Sequence, residues 1–239
     1  MAVRLTVRSA SGATSTSIEV EPTSVILGGY SARSAAERQR HIDELRQIGI
    51  EPPERVPAFW PVGANLVSTA SEIQVQGERT SGEVEYALIA HEGQTYVAVA
   101  SDQTDRAFEV HSIPRSKQLC AKVISSEVVA LDDLRAAWDR IVISSEVSAD
   151  GDMWLPYQRG ELAGMLDPDG LVSACFGTGA LADRTILLSG TIPILDGETR
   201  YLPHFRATLE VPDSDHLRLA LAYRVEMLPE RADTGEEAA

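Results

Sequence analysis

The stretch at 81–102, "SGEVEYALIAHEGQTYVAVASD", combines two apolar, strand-forming runs with three acids. The "HEGQ" between the runs is typical of a tight hairpin turn centred on Glu92 and Gly93. Carboxylates are poor strand formers, and removing them from water is costly unless another group pairs with them. The stretch therefore predicts a hairpin whose acids need a partner, and these acids are Glu83, Glu85 and Asp102.

Strand geometry predicts that the three acids converge. Residues two apart share a face of a strand, so Glu83 and Glu85 point the same way. A two-residue turn places Glu83 opposite Asp102, with Cβ atoms roughly 4.5–5.5 Å apart. Carboxylates this close repel one another unless protons or a cation intervene, and a hard divalent ion with oxygen ligands relieves that repulsion. The spacing therefore favours a site for magnesium, manganese or calcium.

A simpler structure fits the same residues. The acids need no metal if they lie on the solvent-facing side of an edge hairpin. A slip of one residue in the strand register would also separate them. The hairpin alone leaves both possibilities open.

Composition excludes several classes of function. The chain has 239 residues, enough for a sizeable core, and its net charge of −15 disfavours nucleic acid and anionic membrane surfaces as partners. It contains no apolar run of the ~20 residues that span a bilayer, and its N-terminus lacks the apolar block of a signal peptide. We expect a soluble, cytoplasmic protein that binds neither nucleic acid nor membrane.

The order of patterns predicts a strand-rich α+β fold. Strands are expected at 3–8 and 16–28, and a helix at 31–50. A proline-rich segment at 51–66 is expected to be irregular. Further strands, a helix at 130–142 and a short helix after Pro168 follow, with little of the alternation of a parallel sheet.

We divide the chain into three parts. Residues 1–60 hold N-terminal strands, a helix and the proline-rich loop. Residues 61–228 form the main domain. Residues 229–239 are an acidic tail that we expect to be disordered.

Four motifs resemble the fumarylacetoacetate hydrolase superfamily, in order from about residue 58 to 197. Glu-x-Glu and the Asp102 of "SDQTDR" are similar to its metal site, although Ala107 replaces an acid of the family pattern. Lys117 in "SKQLCAK" matches a family lysine, but the Gly-Pro that follows it in the family is missing. The segment "YQRGELAGM" supplies Gln158, and "LLSGTIP" supplies Thr191 with Ile192 where the family has proline.

The N-terminal part carries a weaker likeness. A family lid has His and Glu at H-x-x-E spacing, which His41 and Glu44 of "HIDE" reproduce on the predicted helix. The alternative is a solvated helix face with an incidental His–Glu pair. The loop "VPAFWPVGANLV" resembles another family segment but lacks its lysine.

The resemblance implies a mixed β-sandwich or roll fold and a divalent metal, magnesium first, held by Glu83, Glu85 and Asp102. It implies hydrolysis of a carbon–carbon bond in an acylpyruvate-like or 1,3-dicarbonyl substrate, as in catabolism of aromatic ring-cleavage products. Decarboxylation, hydration, dehydration and isomerisation of a keto acid use the same kind of site and stay open, as does a non-catalytic keto acid-binding protein. It also implies a homodimer.

The resemblance also assigns roles to individual residues. His41, oriented by Glu44, would be the general base, and Lys117 would neutralise substrate charge. Gln158 and Thr191 would orient substrate oxygens. Arg106 would bind a carboxylate or, as the alternative, buttress the turn at Asp102.

Overall fold

A computed structural model describes residues 2–9, 15–47, 52–177, 179–212, 214 and 217–229. The first half of the chain contains β1 (Val3–Arg8), β2 (Ser15–Val20), β3 (Ser24–Gly29), α1 (Ala35–Gln47), β4 (Ala58–Val62), β5 (Val67–Ser68), β6 (Glu72–Val75), β7 (Thr80–Ser81), β8 (Val84–His91), β9 (Gln94–Asp102), β10 (Thr104–Asp105), α2 (Arg106–Glu109) and α3 (Ile113–Gln118). The second half contains β11 (Lys122–Ile124), β12 (Glu127–Ala130), α4 (Leu131–Leu134), β13 (Val142–Ser148), β14 (Leu155–Glu161), α5 (Pro168–Phe176), β15 (Thr185–Leu188), β16 (His204–Glu210) and β17 (Arg218–Met227). Short 3₁₀ turns lie at Ala64–Leu66, Arg135–Arg140 and Leu162–Gly164.

Most of the described strands belong to two mixed sheets. The larger runs in the order β2-β1-β12-β9-β8-β15-β3-β4, with β11 and β5 attached through β9. The smaller runs β14-β13-β16-β17-β6, and β7 pairs with β10 beside the central hairpin. Parallel pairs such as β3 with β15 and β1 with β12 occur among antiparallel ones. The expected strand-rich α+β fold is confirmed.

The central hairpin of β8 and β9 is buried on both faces. One face carries Val84, Tyr86 and Leu88, which pack into a core shared with the smaller sheet. The other face carries Ala87 and Ile89, which belong to a second apolar cluster whose buried members, among the described residues, all come from strands of the larger sheet. The larger sheet thus curls around a core of its own. This double burial explains the almost continuous apolar sequence of the hairpin.

The register of this hairpin agrees with the prediction. Val84 pairs with Ser101 and Glu85 with Ala100, while the short β7–β10 pair continues the same register with Ser81 opposite Thr104. Between them, the backbone N–H of Asp102 donates to the carbonyl of Glu83 over 3.0 Å. Pairing on both sides of the acids prevents the one-residue slip that would separate them.

Two sequence-based expectations about local structure were wrong. The proline-rich segment contains a strand, β4, in which Pro61 lies opposite Ile26. Because β4 is the last strand of the sheet order, Pro61 does not interrupt a ladder on both sides. The helix expected at 130–142 is the single turn α4 followed by the 3₁₀ turn Arg135–Arg140.

The N-terminal strands are part of the larger sheet rather than a separate layer. β3 pairs with β15, and β4 pairs with β3. The division expected after residue 60 falls inside β4. Of the expected acidic tail, 230–239 lies outside the described residues.

The described helices are short, and the longest, α1, has 13 residues. Within the described ranges, none has both the length and the apolar character needed to cross a bilayer.

Gly93 should be required for the turn that sets the hairpin register. Glu92 and Gly93 have φ of 51° and 78°, the left-handed pair of a type I′ turn, and a Cβ on Gly93 would meet no atom within 4 Å. The substitution Gly93→Ala should therefore cost about 1–2 kcal/mol through backbone conformation alone. Chemical denaturation measures this loss.

Gly164→Ala is the matched control, because its added Cβ also meets open space and its φ is not left-handed. Equal destabilisation of the two variants would contradict the role given to the turn.

Candidate metal centre and cleft

The three acids of the hairpin meet at one point. Glu83 immediately precedes β8, Glu85 lies within it, and Asp102 ends the partner strand β9. One carboxylate oxygen from each residue lies within 4.8 Å of the others. The convergence predicted from the register is therefore present in the structure, and we call these residues the acidic triad.

The triad is not a solvated strand face. Glu85 is 1% exposed and Asp102 is fully buried, while the side chain of Glu83 retains 20% exposure. Isolated carboxylates at this depth are strongly disfavoured, so each must be compensated locally. The solvent-facing alternative considered from the sequence is therefore excluded.

Cationic side chains supply that compensation. The ammonium of Lys117, on α3, contacts Oδ2 of Asp102 and lies 3.6 Å from Oε2 of Glu83. The ammonium of Lys122, directly opposite Asp102 on β11, lies 2.7 Å from its Oδ1. Arg106 Nη2 lies 2.9 Å from Oε1 of Glu83. The triad is thus matched by three cations that the protein provides.

The pKa values of the triad diverge because the cations are unevenly distributed. Burial opposes ionisation of Asp102, but the two lysine ammonium groups outweigh it and lower its pKa to about 2. Burial also opposes ionisation of Glu83, but the charges of Arg106 and Lys117 keep its pKa below the usual value. Burial and the charge of Asp102 raise the pKa of Glu85 well above its usual range. Glu85 is the triad member that most needs a further cation or a proton.

Gly190 fixes the orientation of Glu85. Its backbone N–H donates to Oε2 of Glu85 over 2.8 Å. The residue has φ of 86°, and an added Cβ would lie 2.5 Å from the Oγ of Ser31. Glycine is therefore required here for both backbone conformation and space.

The structure brings the predicted substrate-binding residues close to the triad. Arg106 lines the cleft beside Glu83, and it also binds Glu109 (2.9 Å) and Ser81 (2.7 Å). Thr191 follows Gly190, lines the cleft and donates to the carbonyl of Val84 over 2.8 Å.

Gln158 lies behind the cleft wall and is 1% exposed. Its Oε1 accepts from the Val84 N–H and the Ser145 hydroxyl, both at 3.0 Å. Its Nε2 donates to Thr191 Oγ1 (2.8 Å) and to the carbonyl of Ile192 (2.6 Å). Both the oxygen and the nitrogen of the amide are hydrogen-bonded within the protein, so Gln158 holds Thr191 and β8 in place.

The predicted lid residues His41 and Glu44 lie on α1. Their side chains lie outside the described part of the chain. Other residues of this helix, Glu37, Arg38 and Arg40, line the cleft. The helix therefore borders the cleft that Glu83 and Glu85 also line.

Sequence reasoning missed Lys122, the second cation on Asp102. The residue is fully buried, and its ammonium also donates to the carbonyl of Gln103 over 2.6 Å. The signal was present, because "AKVIS" places a lysine in a short apolar strand and a buried lysine almost always has a charged partner. Trp60 was also missed as a cleft residue, since its segment was expected to be irregular.

Two members of the triad, Glu83 and Glu85, line a cleft of about 570 Å³, within the size range of small-molecule sites. Its walls include Tyr30, Trp60, Ile113, Met165 and Ile192. Its ionisable lining is balanced, in contrast to the net charge of −15 for the whole chain. Among the described residues, the cleft is lined by five cationic side chains and five acids: Arg38, Arg40, Arg106, Lys117 and Arg159, and Glu37, Glu83, Glu85, Glu109 and Glu161.

A family model described as a protein of unknown function, DUF2848, matches residues 28–223. The chain belongs to this family. The matched region contains the triad, both lysines, Gln158 and Thr191, so the whole candidate site lies within it. The sequence matches no curated protein.

Solved structures share the fold at low sequence identity. A hexagonal crystal form of 2-keto-3-deoxyarabinonate dehydratase has a TM-score of 0.61 at 16% identity, covering 88% of this chain and 76% of that one. Cg1458 has a TM-score of 0.62 at 13% identity, covering 87% of this chain and 78% of that one. A 2-keto-3-deoxy-D-arabinonate dehydratase complexed with magnesium and 2,5-dioxopentanoate has a TM-score of 0.59 at 16% identity, covering 87% of this chain and 74% of that one. These proteins have folds of the fumarylacetoacetate hydrolase superfamily, and the fold expected from the sequence motifs is confirmed.

Removing the charge of Asp102 should strongly destabilise the protein. The substitution Asp102→Asn leaves Lys117 and Lys122 buried without their shared counter-charge. We expect a loss of about 3–5 kcal/mol in the free energy of unfolding, measured by denaturation with a metal chelator present.

Asp139→Asn is the control, because Asp139 pairs with Arg33 at the surface and the loss of such a pair costs about 0–1 kcal/mol. A similar small loss for Asp102→Asn would show that the lysines do not depend on Asp102.

Proposed function

We propose that the protein is a divalent-metal-dependent enzyme that forms an enolate of a small 2-keto acid, with dehydration as the net reaction. The convergence of Glu83, Glu85 and Asp102 beside a cleft, which Glu83 and Glu85 line, carries this proposal. The magnesium and keto acid bound by a dehydratase of the same fold support it.

The residues fit a hard divalent cation. All three triad members offer carboxylate oxygens, the ligands that magnesium and manganese prefer. Burial and the charge of Asp102 raise the pKa of Glu85, so this carboxylate would gain from a further cation. We take magnesium as the first candidate and manganese or calcium as alternatives. Such an ion would supply a Lewis acid that stabilises an enolate.

The surroundings of the triad suit a small anion. Lys117 faces the cleft beside the triad, where its ammonium would neutralise a substrate carboxylate or developing enolate charge. Local cations are needed because the net charge of −15 would otherwise repel such a substrate. Thr191 and Arg106 line the same region and would position substrate oxygens. The apolar walls would limit the access of bulk water.

Dehydration requires loss of a proton from C3 of the keto acid and of a hydroxide from C4, which leave together as water. Two groups are candidates for the base that takes the proton. Glu109 lines the cleft and is held by Arg106, and His41 with Glu44 lies on the adjacent helix α1.

A second candidate function is hydrolysis of a carbon–carbon bond in an acylpyruvate or 1,3-dicarbonyl compound. The position of α1 favours it, because Glu37, Arg38 and Arg40 of this helix line the cleft and the same helix carries the predicted His41 and Glu44. In that reaction His41 would take a proton from an attacking water. With this second candidate function we also expect a role in the breakdown of aromatic compounds, a cytoplasmic location and a homodimer.

The substitution Glu85→Gln should separate metal binding from stability. Because burial favours the neutral form of Glu85, a neutral amide should leave the metal-free protein at least as stable as wild type. Wild type should melt at a higher temperature when magnesium or manganese is added, and Glu85→Gln should lose this increase. Thermal melts with chelator and with each metal test both expectations.

Glu161→Gln is the matched control, since it removes an exposed acid that also lines the cleft and should keep the metal response. An equal metal-induced increase in wild type and Glu85→Gln would refute the assignment of the triad.

The two candidate reactions should be distinguishable by product mass. Dehydration of a 2-keto-3-deoxy sugar acid gives one product lighter by one water. Hydrolysis of an acylpyruvate adds one water and gives two smaller acids. Incubation of the metal-loaded protein with both substrate classes, followed by mass spectrometry, should yield the dehydrated product.

Cleavage of acylpyruvates without dehydration of the sugar acids would instead establish the second candidate. Tight binding of both classes without turnover would contradict an enzymatic role.

A further inference from the structure

The ammonium of Lys117 lies among the oxygens that would bind a metal ion. It contacts Oδ2 of Asp102 and is 3.6 Å from Oε2 of Glu83. The charges of Glu83, Glu85 and Asp102 all act on it favourably, against the effect of its own burial. Lys117 is therefore a cationic occupant of the acidic triad.

This arrangement leaves few free oxygens for another cation. Lys122 occupies the vicinity of Oδ1 of Asp102, and Lys117 occupies that of Oδ2. A divalent ion coordinated by Asp102 would carry two positive charges to a carboxylate already in contact with two ammonium groups. Like charges in contact at a buried site repel strongly, so one ammonium must move away.

Lys117 is better placed to move than the other cations. Lys122 is fully buried within β11 and is also tied to the carbonyl of Gln103. Arg106 is held by Glu109 and Ser81 in addition to Glu83.

Lys117 lines the cleft, and its ammonium has ion pairs only with triad acids among the described residues. The ring of Trp60 lies 5.6 Å from this ammonium, on the same cleft. An aromatic face is a favourable position for a displaced ammonium.

We propose that Lys117 is a tethered cation that occupies the triad in the metal-free protein and moves into the cleft, towards Trp60, when a divalent ion enters. This inference rests on the metal site of the proposed function. It gives Lys117 two alternating tasks. It compensates the triad without metal, and with metal it presents its ammonium to the anionic substrate.

Metal affinity measured without turnover tests the first task. Titration of chelator-treated protein with Mn²⁺, followed by electron paramagnetic resonance of the free ion, gives dissociation constants directly. Lys117→Met removes the competing charge at similar length and should bind Mn²⁺ roughly tenfold to a thousandfold more tightly than wild type. Lys117→Gln serves the same purpose if the methionine variant does not fold.

Arg115→Met is the matched control, because it removes an exposed cation from the same helix α3. It should bind Mn²⁺ like wild type. Lys117→Arg keeps the charge and should also not gain affinity for the ion.

Binding of oxalate, a small dianion, tests the second task. Calorimetry on protein saturated with Mn²⁺ should show at least roughly tenfold weaker oxalate binding for Lys117→Met than for Arg115→Met, because one nearby countercharge is missing. Equal oxalate affinity in both variants would overturn the substrate-facing role.

The outcomes separate this inference from the proposed function. Tighter Mn²⁺ binding by Lys117→Met, including binding where wild type shows none, supports the tethered cation. Equal binding by wild type and Lys117→Met overturns it and leaves the metal site intact. No Mn²⁺ binding by either protein overturns both.

Discussion

Burial of three carboxylates at the end of the central hairpin is the constraint on which the site depends. The hairpin lies between two apolar cores, and Glu85 and Asp102 are buried, so their compensation depends on groups of the protein or on a bound cation. Lys117, Lys122 and Arg106 each come from a segment that follows β9, and their pairing with the triad fixes how that part of the chain returns to the hairpin. The residues that compensate the buried acids therefore also determine the path of the chain in this region.

Much of the hairpin could be predicted from the sequence. The Glu92–Gly93 turn, the alternation of β8 and β9 and the register that joins Glu83 to Asp102 follow from local rules, and the structure agrees with each. The inference that a divalent ion must neutralise the acids was incomplete. The alternation of side chains along a strand identifies which acids share a face. It does not indicate which cationic residues of other segments contact them.

The features that the sequence did not reveal depend on tertiary contacts. The strand β4 forms despite Pro61 because β3 supplies its single neighbour, which no local pattern indicates. Gln158 fits the family motif, but its position behind the cleft wall follows from the packing of β14 against the hairpin. The partner of Lys122 became identifiable only once its strand was placed beside Asp102.

Gln158 also links the two sheets at the site. It belongs to β14 in the smaller sheet, yet it bonds to Val84 of β8 in the larger sheet and to Thr191 beside the cleft. The hydrogen bonds within each sheet do not require this link. The position of Thr191 in the cleft wall does require it. The site is therefore complete only when the two sheets are docked. A partly folded chain with both sheets present but undocked would lack the geometry to capture a metal ion or a substrate.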